Sequence, residues 1–241
     1  MYFRLITCQG DGALGYLLGD VAAGEAVAID PAPGEHALLR GLLAERRVAL
    51  RRILCTHLHD GAREWPRLAR LAAELDADGV ITGDDAPVGA DRAGDGANVV
   101  FGNQVIRVLA TPGHTPGSVS FLWHDRVFCG DLLDTAGSVA QGAPSDPGEL
   151  YDSVTRKLFR LPDETLVFPG HRQRGRSVST IADERARHPE LSAQGRDAYV
   201  ASCLARRAAR RGAEAGRALR PGFPAAGAGA GRVAPGAGSG R

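Results

Sequence analysis

Two histidines separated by one residue, His57 and His59, follow the largely apolar run 51–56. Side chains at positions i and i+2 of an extended segment point to the same side, so both imidazoles can reach one metal ion. Asp60 comes next, and residues 61–64 stand where further ligands could be expected. The block therefore predicts half of a metal-binding motif at the exit of a strand.

Three further side chains that can bind a metal also follow short apolar segments. His114 lies in a loop rich in proline and glycine, Asp131 ends a predicted hairpin strand, and His171 follows a strand and a Pro-Gly turn. A single loop histidine is more often a surface residue or a hydrogen-bond partner. Nitrogen and oxygen donors at repeated strand exits, however, suit Zn²⁺ or Fe²⁺, so the joint pattern predicts a bound transition metal.

The elements that must position these residues alternate between strands and helices. Apolar runs between Gly and Asp turns predict strands over residues 3–7, 14–18, 26–29, 53–56, 80–82, 99–101, 105–110, 118–123, 126–129 and 165–168. Apolar positions at helical spacing predict helices over residues 35–46, 63–75, 147–160 and 179–187, with another over 195–211. The mixture favours an α/β fold of two sheets with helices on their outer faces.

Composition limits the classes of protein that the chain can represent. Its 241 residues are 44% hydrophobic and 24% charged, which is typical of a globular protein with one substantial core. No apolar run approaches the roughly 18 residues that cross a bilayer, and the first residues lack a signal-peptide pattern. We therefore expect a cytoplasmic protein without a membrane partner.

The end of the chain differs in charge from the rest. Residues 206–241 hold eight arginines and one acid, and the Gly-Ala repeats after Pro221 offer almost nothing to bury. Such segments are typical of disorder, and charge runs of this kind are usually solvated. We expect a disordered tail over residues 212–241 and no nucleic-acid partner.

The motifs occur in the order and approximate spacing of the metallo-β-lactamase superfamily, and the chain most resembles its glyoxalase II and persulfide dioxygenase branch. The matching segments are His57-x-His59, residues 111–118, Gly130-Asp131 and Pro169-Gly170-His171. Residues 1–4, 15–18, 28–31 and 177–185 look closer to the persulfide dioxygenases. The resemblance implies the metallo-β-lactamase αββα sandwich over residues 1–191. Beyond it, the sequence pattern predicts a C-terminal helical extension over residues 192–211.

The family motif His-x-His-x-Asp-His is shortened in this chain, as if about four residues had been removed. The family's first metal site matches four residues: His57, His59, His114 and Asp131. Its second site would keep only Asp131 and His171, so the resemblance implies one metal ion per chain. Asp60 stands one residue too early for the motif aspartate, and such a shift turns a side chain to the opposite face unless Gly61 bends the chain. We keep Asp60 and His171 as candidates for outer-shell or residual second-site positions.

Persulfide dioxygenases use one Fe²⁺ held by two histidines and one aspartate, which match His57, His114 and Asp131. The resemblance implies a mononuclear non-haem iron enzyme that oxidises glutathione persulfide to sulfite, with Zn²⁺ as the alternative metal. In that hypothesis His59 and His171 hydrogen-bond the ligands or the substrate.

Recognition of a small thiol substrate needs cationic or hydroxyl groups, and the arginine that the family carries after its aspartate is missing here. Thr115, Arg172 and Arg174 are the candidate substrate-binding residues, and a solvated basic loop is the alternative for the two arginines. Two alternatives stay open. One is a glyoxalase II-like hydrolase of hydroxyacylglutathione thioesters, and the other is a non-catalytic family member that binds a metal or a thiol. A homodimer is an option under each hypothesis.

Overall fold

The structure is a computed structural model that describes residues 1–8, 12–32, 34–133, 145–172 and 175–218, with side chains up to residue 209. The chain divides into two units, Met1–Leu204 and Ala205–Arg241. The first unit holds both sheets, and its end at Leu204 lies beyond the predicted domain end at residue 191. The predicted α/β class is confirmed.

The first sheet contains six strands in chain order. They are β1 (Tyr2–Thr7), β2 (Leu14–Asp20), β3 (Glu25–Ile29), β4 (Ala49–Leu54), β5 (Gly79–Thr82) and β6 (Asp91–Arg92). The first three form an antiparallel meander, and β3 to β6 run parallel. Parallel neighbours need a crossover, which α1 (His36–Arg46) and α2 (Gly61–Glu74) supply for β3–β4 and β4–β5.

The second sheet also contains six strands, in the order β12-β11-β10-β9-β8-β7. They are β7 (Asn98–Phe101), β8 (Gln104–Ala110), β9 (Val119–Trp123), β10 (Arg126–Gly130), β11 (Leu166–Pro169) and β12 (Ser179–Thr180). The helices that follow β10 are α3 (Pro147–Arg156), a 3₁₀ turn (Leu158–Arg160), α4 (Ile181–Arg187), α5 (Pro189–Ala193) and α6 (Arg196–Ala218). Every strand and helix predicted from the sequence has a counterpart. The helix predicted over residues 147–160 ends at Arg156, and residues 179–180 of the helix predicted over 179–187 form β12.

Because successive side chains of a strand point to opposite faces, the two sheets bury three apolar layers. One layer lies between the sheets, and the other two lie between each sheet and its helices, as in an αββα sandwich. Between the sheets, Tyr16 and Leu54 belong to one buried cluster with Phe121 of the second sheet. Ile53, the neighbour of Leu54 on β4, faces the other way and joins a cluster with residues of α1 and α2. On the far side, Val127 joins a cluster with residues of α3, α4 and α5. The predicted sandwich architecture is confirmed.

Helix α6 continues beyond residue 211, where the sequence predicted its end, and stops at Ala218. The predicted tail beyond that point lies outside the described residues. Within the part of the chain that the structure describes, no helix has both the length and the apolar character that a membrane crossing requires.

Candidate metal centre

Strand directions bring polar side chains from both sheets to one edge of the sandwich. Because β3 and β4 run parallel, Asp30 and His57 leave the first sheet at the same end. Asp131 and His171 follow the parallel strands β10 and β11 of the second sheet in the same way. Since β9 is antiparallel to β10, the loop that carries His114 enters β9 at this end too. Residues far apart in sequence therefore converge.

The four predicted metal ligands, His57, His59, His114 and Asp131, form one compact group of donor atoms. Nε2 of His59 lies 3.1 Å from Nε2 of His57 and 3.5 Å from Nε2 of His114. Oδ2 of Asp131 lies 3.6 to 4.0 Å from the same three nitrogens. Donors at tetrahedral corners around an ion at about 2.1 Å stand roughly 3.4 Å apart, so the spacings fit one small transition-metal ion.

The charges of this group also suit a cation. Burial lowers the pKa of His57 to about 4, and burial likewise lowers the pKa of His114. Both imidazoles are therefore neutral at neutral pH, which is the form that binds a metal. Burial alone would raise the pKa of Asp131, but the hydrogen bond with His171 and the nearby imidazoles lower it to about 2. Asp131 consequently supplies a negative charge to the donor set.

His57 is oriented by a chain of hydrogen bonds behind its ring. The Thr56 hydroxyl donates to Asp30 Oδ2 at 2.7 Å and lies 2.9 Å from Nδ1 of His57. Since the single hydroxyl proton goes to Asp30, Nδ1 of His57 must donate its own proton to Thr56. The lone pair is then on Nε2, which faces the other donors.

Asp30 stands at the far end of this hydrogen-bond chain, and the sequence pattern assigns it no role at the site. Its Oδ1 also accepts from the Thr56 backbone N–H at 2.8 Å, and burial raises its pKa to about 7 despite these hydrogen bonds. The backbone at Asp30 has φ 46°, a left-handed conformation that few non-glycine residues adopt. Its signal in the sequence is the one shared by the ligands, a polar side chain directly after an apolar strand.

His171 contacts the second carboxylate oxygen of Asp131, Oδ1. Its Nδ1 lies 2.8 Å from Asp131 Oδ1, so Oδ2 is left for the donor group. The Tyr16 hydroxyl donates to Pro169 O at 2.5 Å, and the Leu14 N–H donates to Gly170 O at 2.8 Å. These bonds tie the loop of His171 to the first sheet, and the imidazole is not one of the four donors of the group.

The close approach of the two sheets at the site depends on a glycine. Gly130 has φ 54° and lies against Thr56 and His57. A Cβ atom there would overlap Thr56 Oγ1 and stand 3.1 Å from His57 Nδ1. The residue before Asp131 must therefore lack a side chain for the hydrogen-bond chain behind His57 to form.

The chain has recognisable relatives, although no protein-family model matches it. The mitochondrial persulfide dioxygenase ETHE1 of Homo sapiens is 34% identical over 188 residues, which span 73% of this chain and 70% of that protein. The chain belongs to the ETHE1 family of persulfide dioxygenases. The crystal structure of ETHE1 from Myxococcus xanthus is similar with a TM-score of 0.76 and 34% identity, covering 85% of this chain and 90% of the other.

A second group of relatives matches the glyoxalase II part of the predicted branch. The hydroxyacylglutathione hydrolase-like protein of Homo sapiens is 37% identical over 174 residues, covering 65% of this chain and 54% of that protein. The predicted resemblance to the glyoxalase II and persulfide dioxygenase branch is thus confirmed.

Asp60 has a structural position in this persulfide dioxygenase family member. It is the N-cap of α2, and its Oδ1 accepts from the backbone N–H groups of Ala62 at 3.1 Å and Arg63 at 3.4 Å. Its Oδ2 lies 3.6 Å from Arg63 Nε. Both oxygens face the helix, so Asp60, a candidate for an outer-shell or residual second-site position, is corrected to a helix cap. The shortened motif places the start of α2 directly after the two histidines.

We expect Asp60→Ala to destabilise the fold without loss of metal. Removal of an N-cap acceptor lowers the free energy of unfolding by about 1 kcal/mol, as chemical denaturation would measure. Asp146, which caps α3 through Gly148 and Glu149, provides the matched control, and Asp146→Ala should cost a similar amount. Loss of metal from the Asp60 variant alone would show that its carboxylate reaches the ion.

The predicted substrate-binding residues of this persulfide dioxygenase family member occupy different environments. Thr115 is 1% exposed, and its hydroxyl lies 2.8 Å from Ser118 Oγ, so it holds the loop of His114 and does not face a substrate. This corrects the expected contact. Arg172 is exposed directly after His171, and its role in substrate binding stays a prediction. Arg174 lies outside the described residues.

We expect Thr56→Val to weaken metal binding roughly 10- to 100-fold, the usual effect of losing a partner that orients a ligand. The change keeps the side-chain shape but removes the hydroxyl between Asp30 and His57. Competition with a chelator would measure the dissociation constant. Thr155→Val is the control, because its hydroxyl bonds the Tyr151 carbonyl within α3. Equal affinity in both variants would contradict the orienting role of Thr56.

Proposed function

We propose that this chain is a mononuclear iron enzyme that oxidises glutathione persulfide. The balanced reaction takes persulfide, O₂ and water to glutathione, sulfite and protons. The proposal is supported most by the donor group itself, in which His57, His59, His114 and Asp131 meet at one point while Asp60 faces away. Membership of the persulfide dioxygenase family favours a small thiol as the substrate.

Within the donor group, we assign His57, His114 and Asp131 as the residues that hold Fe²⁺, with Zn²⁺ as the alternative. Two histidines and one carboxylate make the facial set of non-haem iron oxygenases, and Fe²⁺ held in this way supplies open coordination positions and redox chemistry for O₂ and a sulfur substrate. The side chains of His57, His114 and Asp131 are 12%, 20% and 18% exposed, so the protein shields these three from bulk water.

His59 differs from the other histidines of the group because its side chain is 50% exposed. Its backbone N–H donates to Glu64 Oε2 at 3.0 Å, which holds the loop in place. We assign His59 to the open side of the centre, where Nε2 can hydrogen-bond the entering sulfur. His171 keeps Asp131 oriented through its contact with Oδ1.

The direct test is O₂ uptake by protein loaded with Fe²⁺ under anaerobic conditions and then mixed with glutathione persulfide. The proposal expects O₂ consumption and sulfite formation in equal amounts, and neither from zinc-loaded protein. A stoichiometric zinc protein without O₂ uptake under any loading would overturn it.

A second function is supported by the relatives named as hydroxyacylglutathione hydrolases or hydroxyacylglutathione hydrolase-like proteins. This hypothesis expects release of glutathione from S-lactoylglutathione without O₂. The two activities are separated by running both assays on the same metal-loaded preparation. A protein with no turnover of either substrate and little bound metal would instead fit the non-catalytic alternative.

A further inference from the structure

A cavity of about 240 Å³ opens beside the donor group, between the metal-ligand histidines and the first two turns of α2. Its walls come from four parts of the chain. They are residues 13–14, residues 30–32, the segment from Cys55 through the first turns of α2, and the loop that carries His171. The lining includes His57 and His59, so a molecule in the cavity lies next to the centre.

Arg67 of α2 lines this cavity and is only partly exposed. In the described part of the chain, no hydrogen bond or ion pair engages its guanidinium. A partly buried guanidinium without a partner favours binding of an anion.

The two carboxylates that line the cavity are already engaged. Glu64, one helical turn before Arg67, accepts the backbone N–H of His59 through Oε2 at 3.0 Å. Asp30 accepts from Thr56 through both of its oxygens. Neither forms an ion pair with Arg67 in the structure. The guanidinium is therefore the free cationic group among the described lining residues, apart from the histidines.

The remaining surface suits a short aliphatic stem. Leu14, Pro31, Leu58 and Leu68 are apolar residues that line the cavity together with Arg67 and the histidines. Whole small-molecule sites commonly measure roughly 300–1,000 Å³, so a cavity of about 240 Å³ holds part of a tripeptide thiol. One arm with a terminal carboxylate matches both its size and its charge.

We propose that Arg67 binds a carboxylate of the thiol substrate in this cavity and thereby positions its sulfur at the metal centre. The inference rests on the proposed function for the identity of the thiol, but its binding step requires no turnover. Arg67 supplies the cationic group that the segment after Asp131 does not provide. Arg67 enters this position because α2 starts directly after His59 and Asp60.

The test measures binding of S-methylglutathione and of its dimethyl ester to metal-loaded protein by calorimetry. Both probes lack a reactive thiol, and the ester lacks the carboxylate charges. We expect wild type to bind the acid at least tenfold more tightly than the ester, because a charged hydrogen bond is lost. Arg67→Ala should bind the acid at least tenfold more weakly and the ester unchanged, while Arg67→Lys keeps part of the preference.

Arg70→Ala is the matched control, since Arg70 is exposed on the same helix and does not line the cavity. It should bind both probes as wild type does, and thermal melting should show that all variants are folded. Equal binding of acid and ester by wild type, or an unchanged preference in Arg67→Ala, would overturn the proposal. Absent O₂ uptake with an intact, Arg67-dependent preference would instead overturn only the dioxygenase function.

Discussion

His114→Ala is expected to leave the protein folded but nearly free of metal and without activity. The change removes one of four converging donors, and Nε2 of His59, 3.5 Å away, cannot occupy both positions. The loss should exceed the roughly 10- to 100-fold weakening that removal of an orienting partner causes. Elemental analysis by mass spectrometry, on protein purified without added metal, would measure it.

A matched control exists on the same sheet. His124 is exposed in the β9–β10 hairpin, and its Nε2 lies 2.8 Å from Gln104 Oε1, away from the donor group. His124→Ala should keep wild-type metal content and turnover. Full metal occupancy in His114→Ala would mean that the ion is held elsewhere, and the assignment of the centre would fail.

Asp131→Asn is expected to have a comparable effect for an electrostatic reason. Asp131 is the carboxylate of the four-residue group, and His171 and the nearby imidazoles hold its pKa at about 2 even though burial acts in the opposite direction. An amide of the same shape keeps the packing but removes the negative charge that attracts the cation. We expect metal affinity to fall by more than about 100-fold, beyond the range for an outer-shell change.

Chelator competition with Fe²⁺ and with Zn²⁺ would measure this affinity for the variant and for wild type. Asp125→Asn serves as the control, because Asp125 pairs with Arg126 on the exposed hairpin. An Asp131→Asn protein that retained wild-type affinity would show that the histidines alone hold the ion.

The donor group could be predicted from the sequence because its ligands stand within a few residues of the end of an apolar strand. His57 and His59 come after β4, His114 after β8 and Asp131 after β10, and parallel or hairpin neighbours bring such ends to one edge. The two-sheet sandwich could be predicted because short apolar runs typical of strands alternate along the chain with helical patterns. Strand β6, with only Asp91 and Arg92, has no apolar pattern and could not be found.

Other parts of the site depend on contacts that spacing does not specify. Asp60 follows the two histidines like a ligand, but it also precedes a helix, and the unpaired N–H groups of α2 bind its carboxylate. Thr115 stands next to a ligand, yet its hydroxyl bonds Ser118 inside the loop. Arg67 lies on a helix with ordinary charge spacing, and only the folded chain shows that it lines the cavity.

The central claim is that the shortened motif leaves a centre for one metal ion. The most direct measurement is iron content per chain after anaerobic reconstitution with excess Fe²⁺ and removal of unbound metal. One compact donor group, with Asp60 committed to the cap of α2, predicts about one iron per chain. Two tightly bound ions per chain would contradict the account, because the described residues would then have to supply a second set of ligands.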